Sequence, residues 1–236
     1  MRVVCLVPSW TETLIEAGVD VIGRTRFCIH PDWAVKNIAV VGGTKNIDIE
    51  KIILLKSDLI ILDKQENTLD IVQQLDSYGL KWMATQVTSI ETCILELEKM
   101  ADVLKNKKLL EYADLYKQVR NSKKLTYKLS KENTKNISYV IWKNPWMCVS
   151  AETFIGDTMS CFGYKLEMNV KKYFEISEEE LLQRYCLFST EPYPFEKNIE
   201  KIKSCGFSGE LIDGEKISWF GIRNLKFMLS CLNIQK

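Results

Sequence analysis

The feature that most limits what this chain can become is a repeated order of short apolar run, turn signal and helix start. Val3 to Val7 (VVCLV) reads as a buried strand closed by Pro8, and Ser9-Trp-Thr-Glu12 has the S-x-x-E form of a helix capping box, with Gly18 as the stop. The order returns with a strand near Val21–Gly23, a loop through Phe27-Cys-Ile-His-Pro31, a strand near Ile38–Val41 and a helix opening at Asp48. A strand at Asp58–Leu62, a helix from about Thr68 to Tyr78 and a strand at Lys81–Thr85 follow. Strands alternating with helices predict a parallel sheet covered on both faces.

From Ser89 the pattern changes. Ile90, Ile94, Leu97, Ala101 and Leu104 make one apolar stripe of helical spacing, the polar run at 105–108 interrupts it, and Leu110, Ala113, Tyr116 and Val119 resume it. Nearly continuous from 89 to about 120, such a helix would be roughly 45 Å long, enough to pass from one lobe to another. After the polar stretch 130–136 come a strand at Ile137–Trp142, helices near Thr153–Phe162 and Ser177–Arg184, and a strand at Tyr185–Ser189. A helix from Phe195, a strand at Glu210–Ile212 and a helix from about Gly221 to Leu232 complete a second α/β lobe. The expected organisation is therefore an N-terminal lobe over 1–86, a linking helix over 87–131 and a C-terminal lobe over 132–236. No short repeat or low-complexity run points to a solenoid.

Composition removes several function classes. With 46% apolar and 27% charged residues the chain is globular, and 32 Lys and Arg against 31 Asp and Glu create no field for a nucleic acid or an anionic membrane. The eight cysteines show no C-x-x-C and suit buried thiols in a reducing compartment. The first apolar run is too short for a signal-peptide core or a membrane span, so a cytoplasmic protein without membrane insertion is expected. An extracytoplasmic location is the alternative if a leader has been removed.

The single histidine, His30, lies in FCIHP. Pro31 biases it toward an extended conformation in which Cys28 and His30 share a face. Three readings stand: a metal site, a nucleophile with its base, or packing. A zinc site needs about four ligands, or three and a water, so the others would be distant cysteines or carboxylates. Gly42-Gly-Thr44-Lys45-Asn46 sits between a strand and a helix, where backbone N–H groups can meet a ligand oxygen, yet it lacks both the P-loop and the dinucleotide-binding pattern. Asp63-Lys64-Gln65-Glu66-Asn67 follows a strand at the edge where open α/β sheets bind ligands. Trp142-Lys-Asn144-Pro-Trp146 and Ser189-Thr-Glu191-Pro-Tyr193 also follow strands, with aromatics and carboxylates suited to a flat ligand. Asp213-Gly-Glu215 and Trp219-Phe-Gly-Ile-Arg223 form a further group, with Arg223 able to fork onto a carboxylate or phosphate.

Together the VPSWTETL start, the VGGTKN-to-DLIILDKQEN block, the central helix, and NPWM followed by TFIGD resemble class III periplasmic substrate-binding proteins, the helical-backbone metal receptor superfamily. Exported members capture cobalamin, ferric siderophores, haem or metal ions for ABC importers. The resemblance implies two parallel-sheet α/β lobes joined by one long backbone helix, with the ligand between them. FCIHP, GGTKN, STEPYPF and DGE with SWFGIR look like a leaderless, cobalamin-binding-like branch whose third segment reads K-E-E-N; Gln65 departs, while Lys64, Glu66 and Asn67 match. Without an export signal, an ABC transporter is a partner only if the chain is exported.

The resemblance thus implies a soluble binding protein for a small ligand, a metal ion or a metal chelate such as a corrinoid. His30 is the candidate metal ligand, with Cys28, Glu66, Glu191, Asp213 or Glu215 completing the shell. Trp10, Thr44, Lys45, Lys64, Asn67, Trp142, Asn144, Trp146, Tyr193, Trp219 and Arg223 are the other candidate ligand contacts. The alternative is a cytosolic enzyme with Cys28 as nucleophile, His30 as base, and Lys45 or Arg223 stabilising an anion in acyl transfer or hydrolysis. A protein whose lobes dock a partner is a third reading.

Overall fold

A computed structural model describes residues 1–122, 125–130 and 136–232. The chain divides into two units, one of Met1–Val87, Glu91–Gln118 and Phe220–Leu225, the other of Thr88–Ile90, Val119–Trp219 and the chain from Lys226. Among the described residues no helix is long and apolar enough to cross a membrane.

The first unit is built on β1 (Arg2–Cys5), β2 (Asp20–Arg24), β3 (Ala39–Val40), β4 (Leu59–Asp63) and β5 (Trp82–Thr85), ordered β3-β2-β1-β4-β5. Every pairing is parallel. All five residues of β4 are buried, the signature of a strand covered on both faces. Val4, Leu6, Ile60 and Leu62 pack with Ile52, Ile71 and Leu75 from α3 (Ile49–Leu55) and α4 (Leu69–Ser77). Asp48 caps α3 through Lys51 N–H, as its position in the sequence predicts.

The capping box expected at Ser9 does not form. Helix α1 (Pro8–Glu16) begins two residues earlier, with Pro8 at its first position and Val7 as the uncapped N-cap. A proline at the first position removes one of the unpaired N–H groups of the first turn and presets its φ for the helix, and Glu12 takes another partner.

The expected long helix is two helices, α5 (Ile90–Leu104) and α6 (Lys107–Arg120). Lys105 adopts a left-handed φ of 51°, Asn106 N–H returns to Ala101 O at 2.9 Å, and Asn106 Oδ1 caps Leu109 N–H at 3.1 Å. The polar interruption is therefore one helix's stop and the next one's start. Lys117 Nζ lies 2.6 Å from Glu98 Oε1. A straight helix would separate them by about 28 Å, so the segment folds back on itself as a hairpin.

The second unit carries β6 (Ile137–Trp142), β7 (Met147–Val149), β8 (Tyr173–Glu175), β9 (Tyr185–Ser189) and β10 (Ser208–Ile212), ordered β10-β9-β6-β7-β8. The pairings β6–β9 and β9–β10 are parallel, but β7 and β8 run antiparallel, so the sheet is mixed where a parallel one was expected. Lys143–Trp146 is a hairpin turn closed by the Trp142–Met147 pair, with Asn144 at φ 64°. The helix α7 (Phe154–Cys161) is capped by Thr153, and α8 (Glu178–Leu182) opens with a full capping box from Ser177 to Glu180. The core holds Trp146, Phe188, Phe195 and Phe207.

Candidate functional site

In the first unit the strand order reverses between β1 and β4, the switch point where open parallel sheets leave a crevice at their carboxyl ends. Asp63 ends β4 there, fully buried. Its Oδ1 accepts from Gln65 N–H at 2.8 Å, and its Oδ2 lies 2.7 Å from Thr85 Oγ1, which in turn accepts from Trp10 Nε1 at 2.9 Å. Burial pushes the Asp63 carboxyl above its ordinary value.

Asn67 ties this edge together. Its Oδ1 accepts from Asp63 N–H at 2.8 Å, and its Nδ2 donates to Thr44 O at 2.7 Å. Gln65 Nε2 donates to Val87 O, so the residue that departs from the resembled motif also anchors its loop. Asn67 and the fully buried Trp10 thus position loops, while Lys45 and Lys64 are exposed and Thr44 and Glu66 half-exposed at this edge.

FCIHP is not a plain extended segment. The segment turns, with Cys28 N–H on Thr25 O and Ile29 N–H on Phe27 O, so the alternation of an extended strand does not apply. Cys28 has no exposed surface, and its Sγ lies 3.1 Å from both Thr11 Oγ1 and Thr25 Oγ1. Burial raises its pKa, which disfavours the thiolate form. The His30 side chain is 22% exposed, and its Nδ1 lies 3.1 Å from Asp32 Oδ1. Among the described residues no three His, Cys, Asp or Glu side chains gather to hold a metal ion.

The carboxyl ends of β6, β9 and β10 share one edge of the second sheet, and the predicted loops leave from it. Trp142, 39% exposed, meets Tyr193 edge-on with ring centres 5.6 Å apart. Glu191 Oε1 accepts from Trp219 Nε1 at 2.7 Å and from Ser218 Oγ at 2.8 Å. Burial first, then Glu215 and Asp213, raise the Glu191 carboxyl above its usual range. Gly214 packs so closely that a Cβ there would lie 2.4 Å from Ser189 Oγ and 2.6 Å from Glu191 Cγ.

Three candidates have other work. Trp146 is core, stacked parallel on Phe195 at 6.2 Å, with Nε1 on Glu178 Oε2 at 3.0 Å. Asp213 caps helix α10 (Gly214–Ser218) through Lys216 N–H and pairs with Lys216 Nζ at 2.7 Å. Arg223 forks onto Glu12 in the first unit, Nε to Oε2 at 2.7 Å and Nη2 to Oε1 at 2.9 Å. Asn144 is exposed in its turn and Glu215 half-exposed. Sequence reading missed Ser218 and Thr85 as positioning groups, and named Asp63 only as the start of the segment at the sheet edge. The S-x-x-E spacing did single out Glu12, but for the wrong partner.

No family model matches the chain. The periplasmic vitamin B12 binding protein BtuF of Vibrio cholerae superposes with a TM-score of 0.74 at 16% identity, over 98% of this chain and 94% of that one. The periplasmic heme binding protein HutB of Vibrio cholerae gives 0.76 at 16%, over 98% and 96%. The fold is that of the class III substrate-binding proteins. A vitamin B12-binding protein of Salmonella choleraesuis is 32% identical over 100 residues, 42% of this chain and 37% of that protein. The match thus spans less than half the length of that curated relative.

Proposed function

We propose that this chain is a binding protein for a small flat metal chelate of the corrinoid or haem class. The observation that carries this reading is the loop edge of the second unit, where the Trp142–Tyr193 corner stands beside an oriented, half-buried Glu191. Aromatic faces with few fixed polar groups suit a large planar ligand. A chelate brings its own in-plane donors and needs at most an axial ligand, in keeping with the lack of a three-residue metal group among the described residues. The other contacts in this reading are Asn144, Glu215 and Trp219 of the same unit, beside Trp142, Glu191 and Tyr193.

The names of the structural neighbours and the curated relative support the ligand class. All eight cysteines are unpaired, which supports a reducing compartment; service to an ABC transporter would require export. Cell fractionation separates the two. The binding test is titration with hydroxocobalamin and with haemin, followed by tryptophan fluorescence. Saturable one-to-one binding with Kd of about 1 μM or tighter, about −8 kcal/mol, is expected for one of them. Saturation by neither overturns the proposal.

A further inference from the structure

We infer that the ligand edge received by the second unit carries hydrogen-bond donors, amide, amine or hydroxyl groups, and not carboxylates. This rests on the binding reading above and goes beyond it by assigning the polarity of the ligand's rim. Glu191 is built as a fixed acceptor. Its Oε1 takes both Trp219 Nε1 and Ser218 Oγ, which sets the plane of the carboxylate. Its Oε2 receives no hydrogen bond from any described residue and is not one of the buried unpaired atoms, so it is open to solvent.

The backbone enforces this arrangement. Gly214 leaves no space for a Cβ against Glu191 Cγ, and its N–H is held by Thr190 Oγ1 at 2.9 Å, one residue before Glu191. Among the described residues Glu191 makes no ion pair. A ligand N–H or O–H arriving at Oε2 completes a charge-assisted hydrogen bond. A ligand carboxylate arriving there sets acceptor against acceptor and charge against like charge. Trp142 and Tyr193, on the neighbouring strand exit and on Glu191's own loop, supply the apolar face beside it.

The test uses two probes with the same corrin ring and cobalt, dicyanocobinamide with an amide rim and dicyanocobyrinic acid with a carboxylate rim. Affinities at pH 7.5 are measured for the full chain and for Glu191→Gln, whose side-chain amide can also donate. The wild type is expected to favour the amide rim by about tenfold or more, roughly the value of one charge-assisted hydrogen bond. Glu191→Gln is expected to narrow that ratio at least several-fold, chiefly by tighter binding of the carboxylate probe. Equal affinities in the wild type, or an unchanged ratio in Glu191→Gln, overturn this inference and leave the binding reading standing. Binding of neither probe, nor of haemin, overturns both. A thermal melt of Glu191→Gln matching the wild type shows that the ratio is read on a folded protein.

Discussion

Arg223→Ala should destabilise the first unit by about 3–5 kcal/mol, because Arg223 forks onto the buried Glu12 carboxylate. The pair is bidentate, at 2.7 and 2.9 Å, and the side chains are 21% and 7% exposed. Two unit charges about 4 Å apart attract by about 4 kcal/mol at an effective dielectric of 20, and desolvation offsets much of this while both partners are present. Removing the arginine alone leaves a carboxylate with almost no access to water. Glu12→Gln should cost less, since a neutral amide can remain buried, and the double variant Glu12→Gln/Arg223→Ala should be more stable than Arg223→Ala. Guanidinium unfolding of the four proteins, followed by circular dichroism and by tryptophan emission, measures the cycle. A cost below about 1 kcal/mol for Arg223→Ala, or additive single effects, would refute the reasoning and return Arg223 to the ligand contacts.

Three further outcomes follow from the geometry. Asp63 titrates above its ordinary value, so the folded state binds its proton more tightly than the unfolded chain; stability falls as pH rises from the usual carboxylate range to the raised value, then levels. Asp63→Asn should flatten that fall in urea unfolding followed against pH, and an unchanged profile would contradict it. Native Cys28, fully buried with a raised pKa, should alkylate with iodoacetamide more slowly than a free model thiol, whereas exposed Cys205 should react first by mass mapping; fast labelling at Cys28 would revive the enzyme reading. Gly214→Ala should displace Glu191 and cost about 1–3 kcal/mol from overpacking, with chelate affinity lost beyond the stability change; wild-type affinity would contradict the close approach.

Signals that act within a few residues were legible in the sequence. Asp48 and Ser177 cap the helices they announce, and the apolar runs of β4 and β9 are strands because their neighbours leave them no solvent face. The helix hairpin was misread because the stripe keeps helical spacing on both sides of Lys105, and only the backbone turn there shows the reversal. Strands β7 and β8 are three residues each, too short to show a period. The candidate site was legible as loops at strand exits, but not in its division of labour. Glu12 meets Arg223 across 211 positions, Trp10 meets Thr85 across 75, and Trp146 is core because Phe195 and Phe207 come to it from distant segments.

The most direct test of the binding account is native mass spectrometry of the protein purified from its own cells, beside a denatured sample and elemental analysis of the same preparation. The account predicts a non-covalent adduct with the mass of a metal chelate, a matching metal stoichiometry, and loss of both on denaturation. A chain that carries no adduct and takes up neither hydroxocobalamin nor haemin when they are added would contradict it.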